Sequence, residues 1–245
     1  MARAPTPFVI FATQRTGSSF VSSMLRSHDR VETYAELFQR GATRPSSFGG
    51  YVAGAGGRRP RVGRPRTFAF LDELYAPRPD IDAVGFKLMY DDLKQHPTVV
   101  PYLALHSVHV IHLVRTNLLD ILVSIDTARA RGAFHSKSDL QPVTVSVDPA
   151  TVVRRLRVLD RRVRGARALL ALIRAPRIEV SYEQLVSEPG AFADLLRFLR
   201  VASPEAPLST GLRKLNTVGK QQTISNYSEV ERALAPTRFA RFLDS

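Results

Sequence analysis

The 245-residue chain is predicted to fold as an α/β protein with a parallel β-sheet flanked by helices. Three observations predict it. Short apolar, β-prone runs alternate with helical patterns along the chain, which is the signature of strands joined by crossover helices. The runs at Phe8–Ala12 and Val108–Val114 are too short for buried helices and rich in β-branched residues. A hydrophobic share of 44% is enough for one sizeable core, so residues 1–245 read as a single domain.

In order, Phe8–Ala12 is the first strand and Ser18–Ser27 the first helix. Val84–Met89 is a second strand, Val108–Val114 a third, and Asn117–Ala130 a helix after it. Asp148 is placed to cap a long helix reaching about Arg174, whose apolar stripe is Val152, Leu156, Leu159, Val163, Ala166, Leu170 and Ile173. Arg177–Ser181 is a further strand, and Glu188–Arg200 contains another helix. One segment departs from this alternation. Residues 40–66 are rich in Gly, Arg, Pro and Ser, and read as a flexible insertion, either a solvated loop or a substrate lid.

Composition narrows the functions. Thirty-five Lys and Arg against 22 Asp and Glu give a net charge of +13, which suits an anionic partner: nucleic acid, a membrane surface or a polyanionic cofactor. Arginine enrichment from a GC-rich genome is the bland explanation of the same surplus. The absence of cysteine excludes disulfides, thiolate metal sites and thiol nucleophiles. The apolar run after Met1–Pro7 is too short for a signal peptide, and no run approaches the roughly 20 apolar residues of a membrane span. The expectation is a soluble, cytoplasmic protein.

In parallel sheets ligands bind beyond the carboxyl ends of the strands, where the chemistry-bearing residues fall. The turn Thr13–Phe20 joins the first strand to the first helix. Such a turn aims backbone N–H groups and the positive helix end at one point. Gly17 permits close approach of an anion, Thr16, Ser18 and Ser19 add hydroxyls, and Arg15 adds a planar fork of donors. It lacks the two glycines and lysine of the nucleotide-triphosphatase loop. The bland alternative is a helix capped by Ser18.

Arg15-Thr16-Gly17-Ser18-Ser19-Phe20 after an apolar strand resembles the 5′-phosphosulfate loop of sulfotransferases that use 3′-phosphoadenosine 5′-phosphosulfate. An arginine at position 15 is the style of the bacterial carbohydrate enzymes, of trehalose and nodulation-factor type. The resemblance implies a P-loop-like sulfotransferase fold, that cofactor as sulfuryl donor, no metal, and an acceptor hydroxyl on a carbohydrate or glycolipid. It assigns Arg15 to both cofactor and reaction. It assigns the 3′-phosphate to Arg115 and Ser124, nine positions apart; many relatives have one residue fewer and a proline after the arginine. For Arg115 a salt bridge to Asp120 is the ordinary alternative, and for Ser124 a bond to its own helix. A basic C-terminal segment, Leu212–Gln222, is similar to the loop that closes over the nucleotide, with Lys220 and Gln221 as phosphate contacts and Lys214 next. Tyr182 is placed either to face the adenine or to pack at a strand end. Glu36 stands where trehalose-type enzymes carry their catalytic glutamate, and is the expected general base; His28, His112 and His135 are its rivals, with His112 the one expected to be packed.

Two other classes remain open. A phosphoryl-transferring kinase needs magnesium ligands, for which Asp91-Asp92 is the suggestive pair. A non-catalytic nucleic-acid binder would suit the charge, but no recognised module or aromatic stacking face supports it, so nucleic acid is not an expected partner. Oligomeric state is not legible.

Overall fold

The computed structural model describes residues 4–54, 64–131, 144–188, 190–211 and 219–243. They form two compact units. The first comprises the chain to Val114 and Ala166–Thr210, the second Arg115–Gly165 and the chain from Gly211.

The first unit holds five strands: β1 (Thr6–Ala12), β2 (Val31–Glu36), β3 (Ala83–Met89), β4 (His109–Val114) and β5 (Arg177–Ser181). All neighbours pair in parallel, in the order β2-β3-β1-β4-β5. The expected parallel α/β sheet is therefore the fold. Every residue of β3 and β4 is buried, as central strands covered on both faces require, while β2 and β5 at the edges are only partly buried. Strand side chains alternate between faces. Phe8, Ile10 and Ala12 thus join the core under helices α1 (Ser18–Arg26), α8 (Tyr182–Ser187) and α9 (Ala191–Phe198). Val9 and Phe11 join the opposite core, under α3 (Arg66–Leu74), α5 (Val99–Leu105) and the end of a long helix, α7 (Pro149–Leu172).

The predicted strands and long helices lie where the sequence placed them, and the structure adds β2, α3 and α5. It also corrects the insertion at 40–66. Part of that segment is the helix α2 (Phe48–Ala53), capped by Ser47, whose Oγ accepts from Gly50 N at 3.1 Å. The physical reason is aromatic. Phe48 packs 5.2 Å from Phe38 and 5.5 Å from Phe70, and Tyr51 lies 5.2 Å from Phe70. Those rings supply the apolar burial that the surrounding Gly, Arg and Pro residues lack. Residues 55–63 lie outside the described residues.

The second unit is helical. It holds α6 (Leu118–Ala130), α7 up to Gly165, α10 (Lys220–Thr223), α11 (Tyr227–Leu234) and a terminal 3₁₀ turn, Ala240–Phe242. Asp148 caps α7 as expected, accepting from Ala150 N at 2.9 Å and from the Thr151 hydroxyl at 2.8 Å. Val152, Leu156 and Leu159 of the predicted stripe pack on Leu118, Leu122, Val230 and Leu234 in this unit's core.

Candidate active site

In the first unit, the turn after β1 enters the left-handed region twice, at Arg15 (φ 65°) and Gly17 (φ 87°). For a non-glycine residue this costs about 1 kcal/mol or more, so other contacts must hold the turn. Thr16 is one of them. Its side chain is buried and its hydroxyl donates to Thr13 O at 2.8 Å. That corrects the expectation that Thr16 offers its hydroxyl to an anion: the group closes the loop on itself. Ser18 does not cap α1 either. The capping position is Gly17, which has no side chain to bond the first-turn amides, and the first turn holds no acidic residue. Helix starts ordinarily carry such an acceptor. This one starts without a capping side chain or a first-turn carboxylate, with Arg15 beside it in sequence.

Tyr182 lies on this loop. A Cβ added to Gly17 would meet its ring at 2.3 Å, and its ring packs edge-on against Phe20 with centroids 5.8 Å apart. We expect Gly17→Ala to fail twice over, through the left-handed φ and through collision with Tyr182. The loss should be about 1–3 kcal/mol in thermal unfolding, with anion affinity falling at least tenfold by calorimetry.

Two further groups complete the first unit's cluster. Lys87, in the middle of β3, is 6% exposed. Its Nζ donates to Ser19 Oγ of the loop at 3.0 Å and to Glu36 Oε1 at 3.3 Å. One buried ammonium therefore ties the anion loop to the carboxylate predicted as base. Glu36 reaches it because β2 is irregular. Tyr34 pairs with Phe86 and Glu36 with Lys87, leaving Ala35 as an extra residue in β2. A bulge of this kind re-aims the side chains that follow it. Without it, alternation would set residue 35 opposite Lys87 and turn Glu36 to the other face. Lys87 was missed by sequence reasoning. The available signal was a single charged residue inside the otherwise apolar run Ala83–Met89.

Other candidates are structural in their contacts. Asp92 accepts from Met89 N at 2.9 Å; burial raises its pKa to about 6, and the Glu36 charge pushes the same way. Asp91 pairs with Lys94 at 2.8 Å. Among the described residues no group of three His, Asp or Glu side chains is placed to hold a metal. His112 is packed, as expected. Burial holds its pKa below the usual imidazole range. The neutral ring then donates from Nδ1 to Glu179 at 2.9 Å and accepts from the Tyr90 hydroxyl at 2.6 Å. His28 is buried between Ala202 O, 3.0 Å away, and Arg30 N, 3.1 Å away. His135 and Lys214 lie outside the described residues.

In the second unit, Asn117 caps α6 through bonds from Leu119 N at 3.0 Å and Asp120 N at 3.2 Å. This fixes Asp120, whose carboxylate receives Arg115 Nη2 at 2.9 Å and Lys220 Nζ at 3.6 Å. The Arg115–Asp120 pair anticipated as an alternative is thus present, but one carboxylate serves two cations and the trio keeps a net positive charge. Lys220 also donates to Phe242 O at 2.7 Å. Ser124 lies four residues beyond Asp120 and so on the same face of α6. Gln221 is exposed on α10.

Comparison with known proteins places the chain among relatives. No family model matches it. It is 27% identical over 247 residues to nodulation protein H of Rhizobium meliloti (strain 1021), covering 98% of this chain and 96% of that one. Among solved structures it is similar to a sulfotransferase from Alicyclobacillus acidocaldarius, with a TM-score of 0.49 and 15% identity, over 99% of this chain and 95% of the other. The likeness to the bacterial nodulation-factor type, first carried by short motifs, therefore extends over nearly the full length of the chain.

Proposed function

We infer that this relative of nodulation protein H is a sulfotransferase, moving a sulfuryl group from 3′-phosphoadenosine 5′-phosphosulfate to an acceptor hydroxyl of a carbohydrate or glycolipid. The observation that carries the reading is Lys87, a buried cation bonded at once to the anion loop through Ser19 and to Glu36. What supports this donor is the chemistry of the residues in each unit taken by itself. Uncapped amides of α1, Arg15, Ser18 and Ser19 suit its 5′-phosphosulfate, and Arg115, Ser124, Lys220 and Gln221 are assigned its 3′-phosphate. When bound, the donor supplies an activated sulfuryl group and departs as 3′,5′-adenosine bisphosphate.

The chain's own part is acid–base and electrostatic. The acceptor oxygen forms a bond to sulfur as the bridging S–O bond to phosphate breaks. Glu36 takes the hydroxyl proton, and negative charge grows on the leaving oxygen. Lys87 couples these events. While Glu36 is ionised it shares the ammonium with Ser19; once Glu36 is protonated, the Lys87 charge is left for the loop side, where stabilisation is needed. Fixed cations and dipoles in a poorly solvated site contribute most of such catalysis. A kinase reading draws less support, because Asp91 and Asp92 are engaged with Lys94 and Met89 N.

Thermal shift tests this reading. At about 100 times its dissociation constant, 3′,5′-adenosine bisphosphate should add about 2.7 kcal/mol of stability, with ATP and NAD giving little. A larger shift with ATP, dependent on magnesium, would move the assignment to a kinase.

A further inference from the structure

The sixteen residues after Pro149 give α7 an unusual solvent face within the second unit. Val152, Leu156, Leu159 and Val163 form its buried side. Arg154, Arg157 and Arg161 stand on the opposite side, at spacings of three and four that align them on a helix. All three are exposed, and Val158, itself 39% exposed, stands among them. Neighbouring arginines are ion-paired: Arg155 with Asp126 at 2.6 Å, Arg164 with Asp160 at 2.7 Å, and Arg238 with the same Asp160. Among the described residues no salt bridge joins an acidic side chain to Arg154, Arg157 or Arg161; Asp148 lies within the field of Arg154 without pairing to it, and Arg161 donates to the carbonyl of Arg157 at 3.4 Å. Like charges at these spacings repel along a helix, and the repulsion falls when an anionic surface lies against them.

We propose that the Arg154–Arg157–Arg161 face of α7 docks this protein on an anionic phospholipid surface. Charge complementarity selects an anionic partner. The exposed valine and the aliphatic arginine stems favour a lipid interface, where stems bury against the acyl boundary while the guanidinium groups meet headgroup phosphates. A single-stranded nucleic acid would call for aromatic stacking positions, and this face has none. The face is independent of the residues assigned to sulfuryl transfer, so its failure and the failure of that assignment are separate results.

Sedimentation of the full chain with vesicles tests the proposal. Vesicles of phosphatidylcholine containing about one-third phosphatidylglycerol should pellet the protein, and phosphatidylcholine alone should not. Each arginine near such a surface contributes about fivefold in affinity, so R154Q/R157Q/R161Q should bind about 10²-fold more weakly. All three positions are exposed, so the variant should keep the wild-type circular dichroism and bisphosphate-induced thermal shift. A control with equal charge loss elsewhere, R40Q/R44Q/R200Q, should retain most binding. No pelleting with anionic vesicles, or equal loss in both triple variants, overturns the proposal. So does duplex DNA that binds more tightly than the vesicles and loses affinity in the α7 variant.

Discussion

Lys87→Met should lower sulfuryl-transfer turnover by about 10²–10³-fold, the cost of removing one preorganised charge from developing negative charge. Methionine keeps most of the side chain's length and apolar volume, so the change is chiefly electrical. Lys87 is almost fully buried, and its partners are a hydroxyl and a carboxylate that is itself partly solvated. Removing a buried ammonium also removes its desolvation cost. Glu36 loses its countercharge, but at 24% exposure it stays partly solvated, so the melting temperature should fall only slightly. Turnover and melting temperature measured on one preparation decide the matter. A loss of activity that tracks a loss of stability would assign Lys87 to the fold and leave the site without its coupling group.

Glu36→Gln should cost about 10²–10⁴ in turnover, as loss of a general base does, while 3′,5′-adenosine bisphosphate binds nearly as before. Glutamine retains an oxygen to accept from Lys87 Nζ, so the loop-side contact to Ser19 persists. What disappears is a site for the acceptor's proton. Single-turnover rates and calorimetry separate the two properties. Unchanged turnover, or bisphosphate affinity that collapses along with it, would remove Glu36 from the role of base.

The central strands were legible because they are buried on both faces and so read as short, largely apolar runs, as in Phe8–Ala12 and Val108–Val114. The edge strand β2 was not. Its Val-Glu-Thr-Tyr-Ala-Glu sequence mixes buried and partly buried positions, and Glu32 is used to hold Arg78. The loop's position was legible from Arg15, Gly17 and the serines, but not the division of labour within it. Whether a threonine hydroxyl faces a ligand or its own loop depends on a backbone path that residue types do not state. The Arg115–Asp120 pair was legible from a separation of five residues. The Lys87–Glu36 contact joins residues 51 positions apart in sequence, and only strand pairing brings them together.

The extra residue at Ala35 makes the site's acid–base chemistry a matter of parity. Counting residues along β2, Glu36 faces Lys87 only because the count is shifted by one. A chain with Ala35 deleted would straighten the strand and set its glutamate at position 35, still opposite Lys87. Losing the bulge without losing a residue would instead turn the carboxylate to the other face of the sheet, with every residue of the anion loop unchanged. In an alignment of relatives, a one-residue gap at Ala35 should therefore leave the glutamate's place opposite the lysine intact.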